Sequence, residues 1–166
     1  MFLELIVKAK ILQNIHELIA RHAQNGTVSW IGVRSQRRAA VLPVSRVEVT
    51  RNGLAGDHGA SEKRAVTMMQ REHLAAIGAM LGRGEVAAAD LRRNLVIERI
   101  NLAALKGKRV QIGDVVLELT GICAPCSRME EILGHGGYSA MRGHGGWCAR
   151  VLEPGYLDVG DMVVPL

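Results

Sequence analysis

Two cysteines three residues apart, Cys123 and Cys126, sit in the segment Thr120-Gly-Ile-Cys-Ala-Pro-Cys126, where an alternating apolar run breaks off. A thiol at the end of a strand, backed by a proline, is held in place and accessible. A pair at this spacing can bind a soft metal, close a disulfide or pass sulfur from one thiol to the other. A structural zinc site needs four ligands, usually two close pairs. His135, His144 and Cys148 are available downstream, but no second short-spaced Cys or His pair occurs. A thioredoxin-like motif is imitated by the strand, Cys-Ala-Pro-Cys and the helix-like Ser127-Arg-Met-Glu-Glu-Ile-Leu133. That motif falls late, however, after a run of short strands rather than inside a βαβ unit. The third chemistry is one nucleophilic or metal-binding thiolate at Cys126. There the free amides and dipole of the following helix, with Arg128 alongside, would lower the thiol pKa. The bland counterpart is a buried structural cysteine, common for this residue type.

Other stretches supply what such a thiol would need. Asp90-Leu-Arg-Arg-Asn-Leu95 places Arg92, Arg93 and Asn94 at a strand entrance, where they could grip a phosphate or merely cap a turn. Gly53-Leu-Ala-Gly-Asp-His-Gly59 sets three glycines around Asp57 and His58, which permits close backbone approach to a ligand or simply a tight loop. His135-Gly-Gly137 and Arg142-Gly-His-Gly-Gly146 form a second glycine-rich stretch, a lid, an anion cradle or a mobile surface loop.

The elements that must position these groups are short. Lys8 to Gln24 reads as an amphipathic helix, with Ile11, Ile15, Leu18 and His22 at helical spacing, Leu12 and Ile19 widening the stripe, and Asn25-Gly26 as a stop. From Val28 the period changes to β-type runs: Trp30 to Val33, Val41 to Val44, Val47 to Thr50 and Ala65 to Met69. Glu72 to Leu81 is helical by composition, Leu95 to Ile97 restarts the strands, and Leu102 to Leu105 is one helical turn. Val110 to Thr120 gives two strands about Gly113-Asp114, with Val115, Leu117 and Leu119 on one side, and Val159 to Val164 holds a second Gly-Asp turn. The fold class expected is mainly β, a closed or partly closed barrel with peripheral helices. The domain organisation expected is a helical extension over 1–27 and a barrel domain over 28–166.

Composition narrows the partners. With 166 residues and 48% apolar content the chain can bury a core of its own. No stretch approaches the roughly 18 apolar residues of a membrane span, and the first ten residues have the wrong charge order for a secretory signal. Three cysteines, an odd count, argue against a secreted disulfide framework and for a reducing cytosol. The net charge of +5 comes from 16 arginines and only 5 lysines, which favours planar recognition of phosphate or carboxylate. Only five aromatics occur, leaving little to stack on unpaired bases, and no dense basic stripe suits a duplex. A small anionic ligand fits better than nucleic acid.

Taken in order, the Gly53 to Gly59 loop, Arg64-Ala-Val-Thr-Met-Met-Gln-Arg-Glu-His-Leu74, Leu91-Arg-Arg-Asn94, Ile112-Gly-Asp114, Pro125-Cys126, Arg150-Val-Leu-Glu-Pro-Gly155 and Val159-Gly-Asp161 resemble the MOSC domain over roughly residues 28–166. The resemblance implies a β-rich barrel and a cysteine, here Cys126, that binds the molybdenum of a pterin cofactor or carries sulfur. Arg93 and Asn94 match the family's arginine-asparagine element and become candidate contacts to the pterin phosphate. The wider binding set so expected is Asp57, His58, Arg64, Arg92, Arg128, Arg142 and His144, with Cys126 as metal ligand and Cys123 as resolving thiol or spare ligand. Relatives include amidoxime-reducing enzymes and bacterial proteins that detoxify N-hydroxylated bases. The implied activity is reduction of N-hydroxylated compounds or sulfur transfer, with electrons or sulfur from a partner protein, since no ferredoxin-like segment follows Leu166. The amidoxime-reducing enzymes also carry an amino-terminal β domain, whose place the Lys8 to Gln24 segment takes here. Two alternatives remain: a cofactor-free carrier with a persulfide on Cys126 exchanging with Cys123, and a non-catalytic module holding an anion or protein on the Arg92-Arg93 surface.

Overall fold

A computed structural model of the chain describes residues 1, 15–59 and 61–166. A short helix, α1 (Ile15–Ala20), precedes strands β1 (Gly26–Val33), β2 (Leu42–Val44), β3 (Arg46–Thr50), β4 (Gly53–Leu54) and β5 (Val66–Gln70). Helix α2 (Arg71–Met80) leads through a 3-10 turn at Ala88–Leu91 to β6 (Leu95–Glu98). Another 3-10 turn, Leu102–Leu105, precedes the hairpin of β7 (Arg109–Ile112) and β8 (Val115–Ile122). Helices α3 (Ser127–Leu133) and α4 (Gly137–Met141) follow, then β9 (Trp147–Glu153), β10 (Gly155–Asp158) and β11 (Met162–Pro165).

Seven strands run round a ring in the order β11-β7-β8-β9-β5-β6-β1, and β11 pairs with β1 to close it. Closure leaves the ring without a free edge. All neighbours are antiparallel except β5 and β6, which lie parallel with Met68 opposite Leu95. A parallel pair needs a crossover, and α2 supplies it. A separate sheet, β10-β3-β4, adds Val47, Val49, Leu54 and Leu157 to the barrel's interior cluster.

The period-2 alternation of strand side chains explains how the helices attach. On β5 and β6, Met68, Leu95 and Ile97 point into the barrel, while Met69 and Val96 point out into a second apolar cluster. Leu74 and Ile77 of α2, Met129 and Leu133 of α3, and Met141 of α4 complete that outer cluster. The strands here are apolar on both faces because both faces are covered. The Val115, Leu117 and Leu119 face of β8 is fully buried, as its alternation predicts.

The amino-terminal helix departs from expectation. Ile11 and Leu12 of the predicted stripe lie outside the described residues, and the helix described spans only Ile15–Ala20. Its Ile15, Leu18 and Ile19 are exposed rather than packed on the barrel. The element is tied instead by polar contacts, as the Lys108 ammonium donates to the Ile19 carbonyl. Strand β1 opens at Gly26, inside the stretch assigned to the extension. Strands β4, β9 and β10 and helix α4 went unread, all in segments whose glycines, arginines or proline mask the period.

The His144 to Gly146 end of the second glycine-rich stretch is packed, not a free loop. Gly146 has φ +89°, and a side chain there would overlap the Met68 carbonyl. His144 meets His73 of α2 edge to face, with ring centroids 4.6 Å apart. Burial, and then the charge of His144, hold the His73 imidazole below its ordinary 6.5, with Glu72 pulling weakly the other way.

Gly146→Ala should destabilise the fold by about 1–3 kcal/mol, the cost of a strained backbone position, measured by urea denaturation. The His73 shift has a defined sign. Because the folded pKa is depressed, the unfolded chain takes up the proton first, so stability should fall as pH drops below about 6.5 and level off once the folded form also protonates. Denaturation midpoints between pH 5 and 7.5 should show this slope, and His73→Phe should flatten it.

Candidate functional site

Strand ends that are far apart in sequence meet at one rim of the barrel. Ile31 of β1 lies opposite Leu95, Leu95 beside Met68, Met68 opposite Trp147, and Trp147 opposite Ile122. The residues just beyond these pairs therefore converge: Arg34 after β1, Arg92 to Asn94 before β6, Gly145 and Gly146 before β9, and Cys123 after β8. Each belongs to a loop fixed at its base by a barrel strand.

Arginine dominates this rim. Arg34 forms an ion pair with Asp57 at 3.2 Å and takes a second Asp57 oxygen with its backbone amide at 2.7 Å. Burial pushes the Asp57 carboxyl up, but the hydrogen bonds and charge of Arg34 overcome it and hold it below the usual 3.8. Arg34 also donates to the Arg92 carbonyl at 3.1 Å, Arg92 to the Ala39 carbonyl at 2.8 Å, and Arg128 to the Arg38 carbonyl at 3.3 Å. These bonds knit the 34–39 loop, the Arg92 turn and the start of α3 round a pocket of about 360 Å3, where Cys126 and Arg37 also face inward.

The pocket is short of negative charge. Its lining holds five arginines and one carboxylate, Glu131, while Asp57 is already spent on Arg34. Burial, and then the charges of Arg128 and Arg34, push the Arg92 pKa down. The Arg128 Nε is buried without a hydrogen-bond partner. Arg92 and Arg38 both have left-handed backbone, at φ 59° and 74°. Non-glycine residues held there carry strain of about 1–3 kcal/mol each and gather at functional sites. Exposed Cys126 forms the N-cap of α3 within this lining, and His58 completes it through its backbone bond to the Arg34 carbonyl.

Two expected phosphate contacts are used elsewhere. Arg93 is 7% exposed and donates to the carbonyls of Gly145 at 2.7 Å, Leu91 at 2.8 Å and Cys123 at 3.3 Å. Asn94 is 2% exposed, and its side-chain oxygen accepts from the Thr67 amide and hydroxyl at 3.0 and 2.9 Å. Both clamp the rim from inside. Neither lines the arginine pocket.

Cys123 and Cys126 also part company. Cys123 is buried, and its sulfur accepts from Arg64 at 3.8 Å, while the Cys148 thiol nearby donates to the Ile122 carbonyl at 3.9 Å. The neighbouring Cys148 thiol lowers the Cys123 pKa to about 6 against the opposing effect of burial, helped by the charges of Arg93 and Arg64. The interaction with Cys123, and then burial, push Cys148 up. We assign the thiolate to Cys123, since a buried guanidinium without a carboxylate favours an anion beside it. Cys123 lines a second, more apolar cavity of about 220 Å3 with Pro125, Tyr138, Arg142, Gly145 and Trp147.

The remaining expected residues are dispersed. Arg64 serves the buried thiols, exposed Arg142 lines the apolar cavity, and His144 meets His73 edge to face. Exposed His135 lies 3.8 Å from Glu130. Among the described residues no three His, Cys, Asp or Glu side chains are grouped to hold a metal, so the zinc ligands considered do not assemble. Arg34, Arg37 and Arg38 were missed, although Arg34-Ser-Gln-Arg-Arg38 directly after a strand was a readable signal. No helix of the described residues is long and apolar enough to cross a membrane.

Solved structures of similar fold include the YUAD protein from Bacillus subtilis, with TM-score 0.76 and 14% identity, covering 84% of this chain and 94% of that one. YiiM from Geobacillus stearothermophilus aligns with TM-score 0.73 and 19% identity over 85% of this chain and 75% of its own. YiiM from Escherichia coli aligns with TM-score 0.68 and 18% identity over 84% and 69%. At these identities the likeness is one of fold. A search of curated proteins returns no match. The MOSC domain model matches residues 55–164, about two thirds of the sequence and most of the barrel, and the chain therefore belongs to the MOSC domain family.

Proposed function

We propose that the arginine pocket binds the phosphate-bearing end of a molybdenum-pterin cofactor and that Cys126 supplies a thiolate ligand to its metal. The observation that carries this is the crowding of Arg34, Arg92 and Arg128 around a pocket whose lining holds one carboxylate. A bound phosphate would relieve the mutual repulsion and give the unpartnered Arg128 Nε an acceptor. Membership of a family generally associated with this cofactor supports the same assignment.

Each residue then has a part. Arg92 and Arg128 hold the phosphate, and Arg34, fixed by Asp57, holds Arg92 in place through its carbonyl. Arg37, Arg38 and His58 border the same space. Cys126, exposed within the lining, offers a soft ligand suited to molybdenum. When bound, the group supplies a redox-active centre for reduction of N-hydroxylated compounds. Electrons would come from a separate donor protein, in a reducing cytosol that keeps the three cysteines as thiols. Persulfide exchange between Cys126 and Cys123 gains no support, because the two line different cavities.

Protein purified from a host that makes the cofactor should carry molybdenum and release a fluorescent pterin on oxidation. Cys126→Ser should lose the metal while keeping the fold by circular dichroism; metal retained in that variant would contradict the assignment. Arg92→Ala and Arg128→Ala should each weaken cofactor retention roughly 10- to 100-fold, the worth of about 1.5–3 kcal/mol for a charged hydrogen bond. Dialysis followed by elemental analysis measures that loss.

A further inference from the structure

The buried thiols have a geometry that the cofactor pocket does not use. The Cys123 amide donates to the Gly146 carbonyl at 2.8 Å, which carries the β8–β9 ladder one pair beyond Ile122 and Trp147. Cys148 lies two residues on from Gly146, so it faces the same side of the ladder as Cys123, diagonally across it. Gly146 has no side chain to stand between them. Both sulfurs lie near Arg64, and Cys123 also near Arg93. Arg64 donates to the Cys123 sulfur at 3.8 Å, Arg93 donates to the Cys123 carbonyl at 3.3 Å, and Cys123 lines a small cavity.

We propose that Cys123 and Cys148 form a reversible dithiol–disulfide couple in which Cys123 attacks a small hydroperoxide and Cys148 resolves the product. In the first step the Cys123 thiolate attacks one peroxide oxygen and the O–O bond breaks. Cys123 becomes a sulfenic acid, and the departing hydroxide takes a proton from solvent to give water. In the second step the Cys148 sulfur attacks the Cys123 sulfur, the S–OH bond breaks, and the Cys148 proton leaves with the hydroxide as a second water. Two thiols are oxidised by two electrons and one peroxide is reduced. An external thiol reverses the step by exchange.

Several features favour this oxidant and this assignment of roles. Cys123 is 3% exposed, so hydrogen peroxide can reach it through the adjoining cavity while a bulky disulfide cannot. Thiolate character governs which cysteine starts the ladder of oxidation, and a neighbouring thiol diverts the sulfenic acid to a disulfide before further oxidation. Cys126, on the other cavity, is not required.

The test is to reduce the purified full chain, treat it with near-stoichiometric hydrogen peroxide, and alkylate in denaturant so that buried thiols are also labelled. Peptide mapping should find Cys123 joined to Cys148, a loss of roughly 2 Da for two hydrogens, with Cys126 alkylated and the bond reversed by dithiothreitol. Cys126→Ser should form the same bond. Cys148→Ser should instead leave a sulfenic acid on Cys123 that dimedone traps. In the native wild-type protein, the rate of disulfide formation by hydrogen peroxide should reach half its maximum near pH 6, against 9.0 for an ordinary thiol. A disulfide joining Cys123 to Cys126, or peroxide consumed at Cys126 while Cys123 and Cys148 stay alkylatable, overturns the proposal. The wild-type map decides the matter even if a variant fails to fold.

Discussion

Guanidinium groups bound to backbone carbonyls rather than to carboxylates set the character of this protein. A carbonyl satisfies an N–H donor but brings no net negative charge, so each such bond fixes an arginine without neutralising it. Arg92, Arg93 and Arg128 are all held this way at one rim. Carboxylate pairs elsewhere, such as Arg46 with Asp158 and Arg71 with Glu85, are solvent-facing and contribute little. The rim accumulates positive charge in partly buried surroundings. That excess depresses Arg92, favours a thiolate at Cys123 and calls for an anion in the pocket beside Cys126.

The barrel makes the accumulation possible. Closure brings the ends of β1, β5, β6, β8 and β9 together, and the parallel β5–β6 step sends the chain out over α2 and back to deliver Arg92 to Asn94 at the rim. Arg93 and Asn94 are spent on holding the loops, which frees the outer arginines to face the pocket. Desolvating them costs stability, and the two left-handed arginine backbones add to that cost. A fold optimised for stability alone would not keep them.

Much of the frame was legible because local pattern and final burial agree. The alternation of Val115, Leu117 and Leu119, the Gly113-Asp114 hairpin and the helical composition of α2 all survive packing. Strands β9 and β10 were hidden because Arg150, Pro154 and Gly155 interrupt their period; pairing with β8 and β5 holds β9 in the ring, and pairing with β3 holds β10 in the separate sheet. In the site, Cys126, Arg92, His58 and Arg128 were readable as chemistry, and they share one pocket. The division of labour between neighbours was not. Nothing in Leu91-Arg-Arg-Asn94 shows that Arg92 turns outward while Arg93 turns in; a left-handed residue between a 3-10 turn and a strand decides it. Nor does Cys-Ala-Pro-Cys reveal that its first thiol belongs to Cys148 across the sheet. Among the described residues of the amino-terminal stripe, Ile15, Leu18 and Ile19 are exposed, since apolar spacing promises a face but no partner to bury it.

Two sulfurs in adjacent environments thus have different prospects, one exposed among free cations and one enclosed with a neighbouring thiol. Diffraction from crystals of the protein loaded in a cofactor-competent host, with data at the molybdenum absorption edge, would separate them most directly. An anomalous peak beside the Cys126 sulfur, with phosphate density against Arg92 and Arg128, is the predicted result. A peak beside Cys123, or a cofactor phosphate bound away from those two arginines, would contradict it.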